Sequence, residues 1–213
     1  MPNSFPRRAL FRASLAGLAV ALLRAAVSPA AAASEAAAPI AALNGALTDI
    51  MKSGKATPFP ARYQTLAPVV AQSFDLASIL RLVVGPHWTD MPPEMQNALL
   101  AEFRRFTVAS YVANFDDDNG ERLEILPTTH TVGGDTVIET RIVFPKADPV
   151  RIDYVMRQKD GQWQVVDVLL DGTISRVAVQ RSDFRHILET GGPPALIATL
   201  RKKISALSGG TLT

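Results

Sequence analysis

The chain has 213 residues, 47% of them hydrophobic, with 22 basic and 20 acidic side chains and no cysteine. The missing cysteine excludes disulfides and thiolate metal sites. Residues 1–33 hold Arg7, Arg8, Arg12 and Arg24 and no acid, so the formal charge of +2 becomes −2 without them; that argues against nucleic acid as a partner, because phosphate binding needs a surplus of Lys and Arg.

Residues 1–33 have the layout of an export signal. A basic zone comes first. An apolar zone follows from Ala13 to Val27, and then the small residues Ser28-Pro29-Ala30-Ala31-Ala32-Ala33. Cleavage is expected after Ala33. The run Arg7-Arg8-Ala9-Leu10-Phe11-Arg12 also resembles a twin-arginine motif, which leaves the export route open between the general and twin-arginine systems. A retained anchor would need roughly 20 apolar residues; this run is shorter and is broken by Arg24. The mature protein is therefore expected in the periplasm. Its expected organisation is a linker over 34–38, one domain over 39–207 and a tail over 208–213.

Helical spacing of Ile40, Leu43, Leu47, Ile50 and Met51 predicts a first helix from Pro39 to about Ser53. A second is predicted over Pro60–Gln72. Asp75 reads as the N-cap of a third that carries Leu76, Ile79, Leu80, Val83 and Val84 and stops at Gly85-Pro86. The next runs from Pro93 to Phe115, with apolar residues on more than one stripe. Period-two segments follow at Arg122–Leu126, Thr136–Phe144, Val150–Gln158 and Gln162–Leu170. Turn signals at Gly133-Gly134 and Lys159-Asp160-Gly161 separate them. The helical period returns at Val177, breaks at Gly191-Gly192 and resumes from Pro193. Helices, an antiparallel meander and more helices read as one α+β domain.

Catalytic signatures are sparse. His87, His130 and His186 lie on different elements with no second ligand at metal-site spacing. Asp116-Asp117-Asp118-Asn119-Gly120 fails the calcium-loop pattern, because the fifth position is Gly120 and the twelfth is Pro127. It reads as a solvated turn. Asp153, Asp167 and Asp171 sit in or beside strands, with Arg141, Arg151 and Arg157 near enough to pair with them. No cofactor or metal is expected.

The strands carry more apolar residues than a one-sided sheet needs. Val165-Val166-Asp167-Val168-Leu169-Leu170 is apolar on both faces. Either helices cover both faces in an ordinary core, or one face lines a cavity.

Three stretches resemble the MlaC-type periplasmic lipid-carrier family, also called the toluene-tolerance auxiliary family. They are Phe74-Asp75-Leu76 continuing to Gly85-Pro86-His87-Trp88; Phe103-Arg104-Arg105-Phe106 through Tyr111; and Ile152-Asp153-Tyr154-Val155-Met156 with Gly161 to Val168, Asp171-Gly172 and Arg181-Ser182-Asp183-Phe184. The Leu170–Ser175 segment is closer to the hopanoid-associated HpnM branch. The resemblance implies an NTF2-like fold, a twisted antiparallel sheet packed by helices around an apolar cavity, and no enzymatic activity. It implies a periplasmic carrier of phospholipid or a hopanoid-like lipid. It also implies handoff between an inner-membrane lipid transporter and an outer-membrane acceptor by a monomer. Carried over by position, the lipid-binding wall is Val83, Val84, Trp88, Phe103, Phe106, Tyr111, Val143, Tyr154, Met156, Val166, Val168 and Ile174, with Arg81 at the head group. Which strand face looks inward stays open. Two alternatives stand beside the carrier: an acid–base enzyme using Asp153 or Asp167 with Tyr154 or Tyr111, and a non-binding adaptor with a filled core.

Overall fold

The computed structural model describes the backbone of residues 29–212 and side chains from Ser34 onward. The expected export signal lies outside the described residues, apart from the backbone of 29–33. The element order is α1 (Pro29–Ser53), α2 (Phe59–Ser73), α3 (Leu76–Val84), α4 (His87–Asp90), α5 (Pro93–Asn114), β1 (Arg122–Val132), β2 (Asp135–Val143), β3 (Val150–Lys159), β4 (Gln162–Leu170), β5 (Ile174–Ser175) and α6 (Arg176–Leu207).

The helix α1 begins ten residues earlier than Pro39. Residues 34–38 are therefore helical, which corrects the expected linker. The cause is composition: alanine is the strongest helix former, and the turn it builds buries Ala36 completely beside Ile40 and Leu43. Pro39 sits inside the helix, and its carbonyl accepts a hydrogen bond from Ser73 Oγ at 3.1 Å, tying α1 to the end of α2. Asp75 caps α3 as its sequence suggested, accepting from Ser78 N at 2.9 Å. The two C-terminal helices are one element with a break at Gly192, whose φ of 65° and ψ of −167° suit glycine. None of the described helices is long and apolar enough to cross a membrane.

The five strands form an antiparallel meander in the order β1-β2-β3-β4-β5. Two-residue turns at Gly133-Gly134 and Asp160-Gly161 join β1 to β2 and β3 to β4. At the β3–β4 turn Asp160 and Gly161 both have positive φ (51° and 78°), the pattern of a two-residue hairpin turn. Strand β1 runs past the expected Leu126 to Val132. Its register shifts between Ile125 and Thr129, around Pro127. Proline is tolerated there because β1 is an edge strand whose outward N–H needs no partner. The two-residue β5 carries too little pattern to be legible.

One sheet face packs on the helices. Ile138, Tyr154, Met156 and Val165 join a core built from Ile40, Leu43 and Leu47 of α1, Leu66 and Val70 of α2, Leu80 of α3, Leu99 and Phe103 of α5, and Leu196 and Leu200 of α6. Each such side chain contributes about 1.5–3 kcal/mol on leaving water. The other face holds a small cluster of Val137, Val155 and Val166, with Leu169 against it. Its polar part is an ion-pair network: Arg151 Nη2 lies 2.7 Å from Asp153 and 3.3 Å from Glu139. The doubly apolar β4 is thereby explained, since both of its faces have apolar neighbours.

The turn after β4 closes over that network. Asp171 N donates to Arg151 O at 3.0 Å. A Cβ on Gly172, whose φ is +71°, would stand 2.9 Å from Arg151 Nε and 3.2 Å from Asp153 Oδ2. Gly45, by contrast, sits within α1 with open space around it. Gly172→Ala is expected to lower stability by about 1–3 kcal/mol, and Gly45→Ala to raise it by about 0.5–1 kcal/mol. Urea unfolding of the two variants beside the parent measures both signs.

Candidate functional site

A cavity of about 670 Å³ lies between the sheet and the helices. Its long wall is α5, where Phe103, Phe106, Thr107, Ser110, Tyr111 and Asn114 recur at three- and four-residue intervals on one face. Phe103 is buried and Asn114 exposed, so the wall runs from the core to the surface. Leu76 and Ile79 of α3 and Phe74 before it close the inner end. Alternate strand residues make the opposite wall: Ile142 with Phe144, Ile152 with Tyr154, and Val168 with Leu170. Val177 and Gln180 of α6 complete it. The rim is polar, formed by Asp116, Asp117, Asn119 and Glu121 of the α5–β1 loop and by Arg176.

Aromatic rings line the cavity in series. The Phe74 and Tyr111 centroids are 5.7 Å apart with the rings tilted at 57°, and Tyr111 stacks on Phe115 at 6.1 Å. The hydroxyls of Tyr111 and Tyr154 are hydrogen-bond partners. Burial pushes Tyr154 up to about 12. Tyr111 is held well above the ordinary phenol value, first by burial and then by Tyr154 beside it. Both phenols are therefore neutral at physiological pH.

Asp167 is the carboxylate that lines the cavity from the sheet, and both of its oxygens accept hydrogen bonds. Oδ1 accepts from Val177 N at 3.1 Å and from Val168 N at 2.7 Å. Oδ2 accepts from Ser175 Oγ at 2.5 Å, and Ser175 Oγ in turn accepts from Ala178 N at 3.0 Å. Strand β4 thus caps the first turn of α6 and pins it at the cavity edge. Asp153 is fully buried but lies on the other sheet face with Arg151, away from the cavity. Of the two aspartates weighed for the enzyme alternative, Asp167 lines the cavity with Tyr111 and Tyr154, with each of its oxygens accepting hydrogen bonds, and Asp153 does not line it.

Of the expected wall, the structure brings together Phe103, Phe106, Tyr111, Tyr154 and Val168. The others lie elsewhere. Val83 and Val84 are buried in the helical core, and Met156 is fully buried where sheet and helices close. Val166 belongs to the opposite-face cluster. Val143 is replaced by its neighbours Ile142 and Phe144, because a one-residue shift in a strand turns the side chain to the other face. Ile174 is 50% exposed. Trp88 is half-buried, and Arg81 stacks over its ring at 5.5 Å instead of standing at the cavity rim. The residues missed are mainly Ile142, Phe144, Ile152 and Leu170, Thr107 and Ser110, and the 116–121 loop. The spacing of Phe103, Thr107, Ser110 and Asn114 was the available signal for the α5 part. The loop forms the expected turn, with Gly120 N donating to Asp118 Oδ1 at 2.9 Å, and also serves as the cavity rim.

The family model described as "MlaC protein" matches residues 42–202. No curated protein sequence matches the chain. Among solved structures, the chain is similar to a phospholipid-binding protein from Ralstonia solanacearum, solved in complex with a phospholipid. The two are 17% identical with a TM-score of 0.69, over 82% of this chain and 99% of that one. That likeness shows the same α+β fold.

Two measurements test the site's wiring. Asp167→Ala, which strips the cap, is expected to cost about 1–2 kcal/mol in urea unfolding, with Asp167→Asn costing less. Raised tyrosine values also have a pH signature. The unfolded chain loses phenol protons near pH 10, while Tyr154 in the fold keeps its proton to about 12. Its contribution is present in full below pH 10 and is lost as pH rises from there through about 12. Stability measured across that window is expected to fall, and to fall less steeply in Tyr154→Phe.

Proposed function

Because the chain belongs to the MlaC family, we propose that it is a lipid-binding carrier whose cavity shields the acyl chains of a lipid while the polar end stays at the rim. The observation that carries this reading is the cavity itself: about 670 Å³, walled by Phe, Tyr, Ile, Leu and Val and opening at a polar edge. That volume lies within the ~300–1,000 Å³ range of small-molecule sites. Each methylene moved from water into such a site gains about 0.8 kcal/mol, so a chain of ordinary length gains roughly ten kcal/mol with no covalent chemistry. The phospholipid in the similar Ralstonia protein supports the same ligand class.

The finer parts of the reading rest on the sequence. The layout of residues 1–33 supports a periplasmic location. There the protein would shuttle its lipid between an inner-membrane transporter and an outer-membrane acceptor. The cargo is a phospholipid or, following the Leu170–Ser175 segment, a hopanoid-like lipid. An unfilled cavity supports a carrier over a filled adaptor. The committed oxygens of Asp167 and the neutral tyrosines support binding over acid–base catalysis.

Native mass spectrometry of protein purified from its host is expected to show a bound lipid that delipidation removes and re-exposure to lipid restores. Thr107 and Ser110 face the cavity, and each hydroxyl bonds only to a carbonyl one turn back in α5. Ser110→Trp is therefore expected to fill the space, with lipid uptake falling at least tenfold while circular dichroism and the unfolding midpoint stay near the parent's. A parent that neither carries nor takes up lipid overturns the reading.

A further inference from the structure

We propose that the cavity selects its lipid by head-group charge: it favours a zwitterionic head group ending in an ammonium and discriminates against a net anionic one. This rests on the lipid-binding reading above and concerns the specificity of the same cavity.

The wall carries four carboxylates, Asp116, Asp117, Glu121 and Asp167, against a single basic residue, Arg176. Two of the four are balanced. Asp167 is committed to the α6 cap, and Asp116 lies 3.2 Å from Lys55 Nζ. Asp117 and Glu121 are different. Neither forms an ion pair among the described residues. Asp117 Oδ1 accepts from Asp118 N at 3.1 Å. Glu121 accepts from Asn119 N at 2.7 Å and from Asn119 Nδ2 at 3.4 Å. Both carboxylates thus stand without a cationic partner on a rim where an acyl-anchored head group must sit.

Charges within the ~8 Å screening length of physiological salt act on one another. The apolar wall behind them lowers the local dielectric and strengthens the effect. An ammonium arriving at the rim meets two uncompensated carboxylates. A phosphate diester meets Arg176, which stands close enough to Tyr111 to bias its ionisation. A head group that carries both a phosphate and an ammonium therefore finds a partner for each on this rim. A head group with net negative charge finds the same arginine and then the unpaired Asp117 and Glu121, while the Lys55 ammonium at the rim is already paired with Asp116.

The test loads delipidated full-length mature protein from vesicles holding equal amounts of phosphatidylethanolamine and phosphatidylglycerol with identical chains. Native mass spectrometry reads the ratio of the two complexes. At low salt the ethanolamine lipid is expected to exceed the glycerol lipid several-fold. The ratio should move toward one in high salt and in the double variant Asp117→Asn, Glu121→Gln. Ser110→Trp, which blocks the chain site, is expected to lose both lipids alike. Equal loading of the parent at low salt, or a preference for the glycerol lipid, overturns the charge selection while leaving the lipid reading intact. A preference that persists unchanged in the double variant overturns the assignment to Asp117 and Glu121. Loading of neither lipid by the parent overturns the lipid reading and this inference with it.

Discussion

An apolar sheet face and an apolar helix face separated by empty space tend to collapse on each other, because every unfilled cubic ångström forfeits contacts and hydrophobic gain. The constraint on this fold is to prevent that collapse over about 670 Å³ while packing normally elsewhere. The two requirements are met at opposite ends of the same elements. Phe103 of α5 is buried in the core, while Tyr111 and Asn114 on the same helix face the cavity and its rim. On β3, Met156 is fully buried, while Ile152 looks into open space. The sheet and α5 diverge from a packed hinge-like end to an open one.

Polar contacts hold the divergence in place. Glu102, almost fully buried on α5, accepts from Arg201 of α6 at 2.8 Å and from Arg105 at 3.1 Å. Arg62, equally buried on α2, donates to Thr57 O at 3.1 Å and reaches the carbonyls of Val112 and Asp116 at the end of α5, where the helix is electronegative. Asp167 holds the other end of α6 to β4. Such contacts contribute little net stability compared with apolar replacements. Their value here is directional, since hydrogen bonds fix a distance and apolar packing favours the smallest one. Removing the Asp167 carboxylate leaves the N–H groups of Val168 and Val177 and the Ser175 hydroxyl without their acceptor, which is the source of the cost expected for Asp167→Ala.

The helices and the four long strands were legible because burial on one side imprints a period on the sequence. Asp75, Gly85 and the Asp160-Gly161 turn were legible because only a few residue types suit those backbone positions. What stayed hidden was of two kinds. Helix propensity extended α1 through an alanine run that has no period to read, so Ser34–Ala38 looked like a linker. Strand facing was ambiguous because both sheet faces are apolar: Val137, Val155 and Val166 form a real second cluster. On β2 the polar Glu139 and Arg141 do mark the face that Val143 shares, and on β4 it is the register shift between the Val155–Asp167 and Met156–Val165 pairs that separates Val166 from Val168, which a regular period of two would put on one face. On α5 the small polar residues Thr107 and Ser110 concealed a cavity wall, since a wall facing empty space can tolerate hydroxyls that a packed core would exclude. Arg81 was assigned to a head group on position alone, and its guanidinium instead lies over Trp88.

The tyrosine pair shows how such a wall remains apolar in effect. A lone phenol hydroxyl facing a dry cavity would lack a partner, at a cost of about 1–3 kcal/mol. Tyr111 and Tyr154, one from the helix wall and one from the sheet wall, satisfy each other. Their rings then face the cavity as hydrocarbon, with Phe74 and Phe115 extending the series. The same bond spans the gap between α5 and β3, so it links the two walls whose separation creates the site. Being neutral, it does so without placing a charge beside an acyl chain. Apart from Asp167, whose oxygens are hydrogen-bonded to the start of α6, the charged groups stand outward on the 116–121 loop and at Arg176. An apolar interior and a charged rim therefore follow from one rule: in this cavity a polar side chain either has a partner, as Thr107, Ser110 and Asp167 do, or stands at the opening.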